Sequence, residues 1–275
     1  MKQRLLVAAV GVPALLVVLV LCPPWATTAL VAIMAGVSAY ELLNTAGKAI
    51  PFNVLVMTIT IAAIQVILLS SGSDAFAIGS VSSVTVVRFY FLVLLFFCAV
   101  VRYGKAESLS FRDLSVAIVG GIVFPAMFSA IALLRQAGPS LVLMPFVIAF
   151  LGDSASMLAG SKWGRKKLAP AVSPNKTWAG FYAGPVGSAL GMVLLGLIER
   201  WVWSFAVPLW KLALIGAAGN LFGQLGDLAT SLIKREAGIK DYSHLFLTHG
   251  GMLDRFDSIL FIAPVVYFFL QGGIL

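Results

Sequence analysis

Residues Leu212–Asp257 read LALIGAAGNLFGQLGDLATSLIKREAGIKDYSHLFLTHGGMLDRFD. The stretch begins with an apolar run, Leu212–Ile233, that is long enough to cross a bilayer. From Ser231 onward, Lys234, Arg235, Lys240, Asp241, His249, Asp254, Arg255 and Asp257 crowd into one segment. The transition places concentrated charge at the end of a membrane-length helix. Cations interspersed with carboxylates at a membrane surface suit a site for phosphates and a divalent metal.

The rest of the chain agrees with a membrane setting. Of 275 residues, 60% are hydrophobic and only 11% charged, and the mean hydropathy is +1.02. A soluble domain of this composition would expose large apolar patches and aggregate. The net charge of +8 sits in loops between apolar runs, which is not the distribution of a nucleic-acid binder. Cys22 and Cys98 lie in apolar stretches, so neither a CxxC metal site nor a disulfide is expected. The first residues, MKQRLLVAAVGVPALLVVLVLC, lack a good small-residue cleavage site and read as a retained first helix.

A membrane span needs ~20 mostly apolar residues. The expected fold is all-α, a polytopic bundle of about nine transmembrane helices: Leu5–Cys22, Trp25–Leu43, Ile50–Ser70, Val86–Val101, Leu114–Leu134, Ser140–Gly160, Ala179–Ile198, Leu212–Ile233 and Ser258–Phe269. Ser71–Ser83 reads as a flexible loop. With the N-terminus cytoplasmic, one face collects most of the Lys and Arg, among them Arg165, Lys166, Lys167, Lys176, Lys234, Arg235, Lys240 and Arg255. The opposite face holds Arg135, Arg200 and Lys211. That asymmetry supports the orientation and an odd number of spans. It also puts the loops 161–177 and 234–257 on the cytoplasmic side; the chain is expected to fall into N-terminal helices (1–135) and a C-terminal membrane region (136–275) that carries these loops and the candidate chemistry.

Ionisable groups inside spans are costly and mark function by default. Asn220, Gln224, Asp227, Ser231 and Lys234 recur at helical steps along one side of the eighth span. Gly216, Gly219, Gly223 and Gly226 would let a neighbouring helix or ligand approach closely. A structural polar seam would also explain the stripe, but its direct run into a charged loop favours a cavity lining. Asp254 and Asp257 share a helix face at the start of the last span. Ordinary capping would also place carboxylates there, yet it leaves the preceding His249-Gly250-Gly251 unexplained. That glycine pair offers backbone N–H groups to phosphate oxygens. Hard oxygens from Asp227 and Asp254 together suit Mg²⁺.

Asp153, in FLGDSASMLAG, is expected to pair with a Lys or Arg or to face the same cavity. Arg165, Lys166 and Lys167 read as anchors near acidic headgroups. Ser173, Lys176 and Thr177, around Pro174-Asn175, suit phosphate or a nucleotide, although no Walker motif is present. His244 reads as a loop residue, Glu41 and Gln65 as buried polar contacts, and Phe91, Phe96 and Phe97 as lipid-facing or packing residues. No arrangement supports a covalent nucleophile.

Ser231–Asp257 resembles the signature of the phosphatidate cytidylyltransferases, also called CDP-diacylglycerol synthases. The matching residues are Ser231, Lys234-Arg235, Lys240-Asp241, His249-Gly250-Gly251, Asp254-Arg255 and Asp257. Asp153, Ser173–Trp178 and Gly226-Asp227 also look like family features. The resemblance covers residues 150–258 strongly and is only hydropathic before them. Leu247-Thr248 stands where many relatives carry Pro-Gly, which puts the path of that loop in question.

The resemblance implies phospholipid biosynthesis: CTP and phosphatidate give CDP-diacylglycerol and pyrophosphate with Mg²⁺. The metal aspartates carry over to Asp227 and Asp254, with Asp257 as a ligand or support. A phosphatidate oxygen would attack the α-phosphorus of CTP in line. Phosphatidate is already largely ionised, so positioning and charge neutralisation should dominate over base catalysis. Lys234, Arg235, Lys240 and Arg255 are candidates to hold the phosphate-bearing substrates, and Ser173, Lys176 and Thr177 to assist. The resemblance also implies a homodimer. Without signs of organelle targeting, a membrane enzyme is expected in a bacterial inner membrane, and the Lys and Arg asymmetry places the catalytic loops on its cytoplasmic side. The alternatives are a CTP-dependent polyprenol kinase and an anion transporter; the gathering of polar residues at one membrane face and the lack of an inverted repeat weigh against the transporter.

Overall fold

The computed structural model describes residues 11, 13–46, 50–72, 77–202, 207–245 and 250–275. The helices are α1 (Pro24–Leu43), α2 (Phe52–Ser71), α3 (Ser83–Arg102), α4 (Phe111–Ala137), α5 (Pro139–Trp163), α6 (Trp178–Val202), α7 (Leu209–Glu236) and α8 (Met252–Gln271). They coincide closely with eight of the expected spans. Leu5–Cys22 lies partly outside the described residues, and its last part forms the π-helical turn Val17–Leu21.

Among the described residues, six helices, α1 to α6, are long and apolar enough to cross a membrane. The remaining two carry the polar stripe and the signature aspartates. Leu190, Leu194, Phe96 and Phe97 stand exposed on helix surfaces, as expected for side chains that face acyl chains. Phe91 is instead a core residue, 2% exposed. The chain is an integral membrane protein.

The described residues form two compact units. The first comprises Met1–Leu133 with Glu236–Arg255, the second Leu134–Arg235 with Phe256–Leu275. In the first unit, Leu43, Val54, Ile61, Phe91, Leu95 and Ala117 build a core among α1 to α4. α4 is interrupted by a π-helical turn over Val119–Val123. A Cβ on Gly121 would lie 2.9 Å from the Phe91 ring, so this turn needs a glycine to pack. Gln65 Nε2 donates to the Ile122 carbonyl at 2.8 Å, and Arg88 Nε donates to Gln65 Oε1 at 2.8 Å. Gln65 is therefore the buried polar contact expected from the sequence.

The second unit is built on close helix contacts. The glycines of α7 work as their spacing foretold. A Cβ on Gly216 would lie 2.6 Å from the Ser188 carbonyl of α6, and one on Gly223 2.7 Å from Ile262 of α8. One on Gly226 would lie 2.7 Å from the Asp257 carbonyl. Small residues thus bring α6 and α8 against the polar helix. The loop after α5 holds a short antiparallel hairpin, β1 (Lys167–Ala169) and β2 (Ser173–Thr177), pairing Lys167 with Thr177 and Ala169 with Ser173. An all-α reading of the chain does not anticipate this hairpin.

Candidate active site

The hairpin delivers Lys176 to the polar face of α7. Its Nζ lies 2.6 Å from Asp227 Oδ2 and 3.5 Å from the Gln224 carbonyl. The other Asp227 oxygen accepts from the Ser231 hydroxyl at 3.2 Å, one helical turn on. The Lys176 side chain is 22% exposed and that of Asp227 31%. The pair is therefore sheltered enough for charge to act strongly, yet open to a ligand.

Beside it is a cavity of about 480 Å³ lined by residues of α5, the hairpin, α6 and α7, among them Asp153, Ser156, Lys167, Asn175, Lys176, Thr177, Phe181 and Gln224. Asp153, Ser156 and Gly160 fall on one face of α5, which explains why all three line it. Asp153 thus faces the cavity, one of the two placements expected for it from the sequence. Charge interactions connect Asp153, Asp227 and Asp257 with one another, with Lys176 acting on Asp153 and Lys234 on Asp257.

Thr177 lines the cavity, but its hydroxyl oxygen also accepts the Gly180 N–H at 3.2 Å. It serves as the N-cap of α6. Ser173, at the start of β2, is not among the residues lining the cavity. Lys234 is buried in the last turn of α7. Arg235 Nε donates to the Val172 carbonyl at 3.2 Å, tying the end of α7 to the hairpin turn.

The first unit holds the other part of the signature. Asp254, in the first turn of α8, accepts the Tyr242 N–H at 2.7 Å and the Gly251 N–H at 2.9 Å, both on Oδ2. Gly250 has φ +79°, and a Cβ there would lie 2.9 Å from the same oxygen. The glycine pair is thus wrapped around the Asp254 carboxylate, and the Gly251 amide that the sequence offered to a phosphate is engaged by that aspartate. Lys240, Asp241 and Arg255 are exposed. His249 and Leu247-Thr248 lie outside the described residues.

The sequence matches the cytidylyltransferase family over residues 2–272. The chain belongs to this family. It is 35% identical over 273 residues to the phosphatidate cytidylyltransferase of Bacillus subtilis, a match covering 98% of this chain and 97% of the relative. It is 32% identical over 185 residues to the enzyme of the same name from Rickettsia felis, covering 65% and 80% of the two chains. With the Staphylococcus saprophyticus enzyme it shares 36% identity over 157 residues, 57% of each chain.

In this cytidylyltransferase the cavity combines charged, amide and aromatic groups. Lys176 and Lys167 supply positive charge, Asn175 and Gln224 supply amides, and Phe181 supplies an aromatic face. Sequence reasoning singled out Lys176 and Asp153 but did not assign Ser156, Lys167 or Asn175 to the site. Ser156 carried a signal, standing one turn from Asp153 on the same helix face. Lys167 looked like one more headgroup anchor among three basic residues, and only the hairpin separates it from them.

Proposed function

We propose that this nucleotidyltransferase transfers the cytidylyl group of CTP to phosphatidate, yielding CDP-diacylglycerol and pyrophosphate. The observation that carries this reading is the Lys176–Asp227 pair at the edge of a polar cavity. It occurs in a chain of which 98% matches the phosphatidate cytidylyltransferase of Bacillus subtilis. A phosphatidate oxygen forms a bond to the α-phosphorus of CTP as the bond to the β-phosphate's bridging oxygen breaks. The electron pair leaves with pyrophosphate. The nucleophile is already an anion, so no residue need remove a proton. This chain's residues position the two phosphates and offset their charge. Lys176 is the cation best placed in the cavity, and Ser231 orients the Asp227 carboxylate. Lys234, Arg235, Lys240 and Arg255 are the further cations that the family resemblance assigns to the phosphate-bearing substrates.

The carboxylates assigned to a divalent cation are Asp227, Asp254 and Asp257. Among the described residues, no three His, Cys, Asp or Glu side chains gather at ligand distance. The donors nonetheless fit Mg²⁺, which takes one or two carboxylates and completes its shell with water and substrate phosphates. Asp227 offers hard oxygens at an accessible position, and the Asp257 main chain packs against the adjoining Gly226. When bound there, Mg²⁺ would neutralise charge on the CTP phosphates and the departing pyrophosphate.

The basic loops support an orientation with the N-terminus and the catalytic loops in the cytoplasm, where CTP is available. The membrane is then a bacterial inner membrane, and a homodimer is the assembly implied by the family resemblance. Purified protein supplied with phosphatidate, Mg²⁺ and CTP labelled at the α-phosphate tests the reading. Label should enter CDP-diacylglycerol, whereas lipid labelling from γ-labelled CTP would point to a kinase.

A further inference from the structure

Glu41 sits in the last turn of α1 and is 1% exposed. Its Oε1 accepts the Met252 N–H at 2.8 Å and the Ser243 hydroxyl at 2.5 Å, and its Oε2 accepts the Leu253 N–H at 2.9 Å. Met252 and Leu253 open α8, where backbone N–H groups have no partner inside the helix. A Ser, Thr or Asp at the residue before a helix usually meets that need. Here that residue is Gly251, which has no side chain, and Glu41 supplies the acceptor from 211 positions away in the chain. Gly251 must be a glycine for the arrangement to exist, since a Cβ there would lie 2.3 Å from Glu41 Oε1. The Gly251 N–H then falls to Asp254. Three consecutive amides are thus divided between two carboxylates, one fixing the backbone and the other being fixed by it.

We propose that Glu41 is a positioning residue for the reaction: it holds the Gly250-Gly251 turn and the first turn of α8 so that Asp254 is presented to substrate in one geometry. The inference rests on the reading of Asp254 as a member of the reacting site. Burial makes Glu41 hard to replace, because water cannot readily supply acceptors in its stead. Glutamine is nearly the same size but would set an NH₂ against a backbone N–H, so even this small change should loosen the turn.

The test uses the full-length protein in detergent with Glu41→Gln, Glu41→Asp and Asp254→Asn. For Glu41→Gln, kcat per folded enzyme should fall about 10–100-fold, the range seen when partners of a functional carboxylate or metal ligand are lost. KM for CTP should change little. Amide exchange over residues 250–254, measured without CTP or metal, should quicken in the same variant. Glu41→Asp should lie between it and the parent, and carries the same readouts if the glutamine variant does not fold. Parental kcat and exchange in the Glu41 variants beside an inactive Asp254→Asn would overturn the inference and leave Asp254 in place. So would a loss of activity fully accounted for by a smaller folded fraction. Parental turnover in Asp254→Asn would remove the reading of Asp254, and the role of Glu41 with it.

Discussion

Lys176, in β2, and Asp227, in α7, are 51 residues apart in sequence, yet their charged atoms approach to 2.6 Å. The hairpin ending in Thr177 makes this meeting happen. Pairing of Lys167 with Thr177 turns the chain back on itself, and Thr177 then caps α6. Lys176 is held between these two constraints and points into the cavity.

Replacing Lys176 by Met keeps the aliphatic stem but removes the charge. It leaves Asp227 partly buried without its cation and, on the proposed function, deprives the CTP phosphates of one. Turnover should fall about 10²-fold or more, as when a preorganised donor is removed from a reacting site. Steady-state kinetics on the purified variant check this, with its elution in detergent confirming the fold.

Gly216→Ala should destabilise the protein although alanine is the better helix former. The propensity gain is about 1 kcal/mol. The new methyl would sit 2.6 Å from the Ser188 carbonyl, a backbone atom that cannot move without shifting α6. Overpacking of this kind costs about 1–3 kcal/mol, so the net effect should be a lower Tm in detergent.

Gln65→Leu should act on stability alone. It leaves the Ile122 carbonyl at the π-helical turn without the side-chain donor it now has. An abandoned buried acceptor costs about 1–3 kcal/mol. Thermal unfolding should show the loss, while kcat per folded enzyme stays at the parental value.

Gly250→Ala combines two penalties. The left-handed φ of +79° disfavours a side chain, and the added carbon would press on Asp254 Oδ2 at 2.9 Å. The conformational part costs about 1–2 kcal/mol. Because the displaced group is Asp254 itself, kcat should fall more than KM for CTP rises, which a kinetic split would show.

The membrane helices were legible because an apolar run long enough to span a bilayer has few other uses. Expected Ile50–Ser70 is helix Phe52–Ser71, and expected Ser140–Gly160 is Pro139–Trp163. The glycine face of α7 was legible for the same kind of reason, since its spacing is local. What escaped depends on partners distant in the chain. Strands as short as Lys167–Ala169 give no periodic signal. Glu41 looked like a buried contact, and nothing near it in sequence points to Met252 and Leu253. Thr177 read as a phosphate contact and proves also to be a helix cap. The signature reads as one motif, but its residues divide between two compact units: Lys234, Arg235 and Asp257 belong to one, Lys240 to Arg255 to the other.

The most direct test of the account is lipid labelling from CTP by the parent protein, Asp227→Asn and Asp254→Asn, each with phosphatidate and Mg²⁺. With α-labelled CTP the parent should form labelled CDP-diacylglycerol, each variant should form almost none, and chelation of the metal should stop the parent. Undiminished product from Asp227→Asn, or lipid labelled from γ-labelled CTP, would contradict the account.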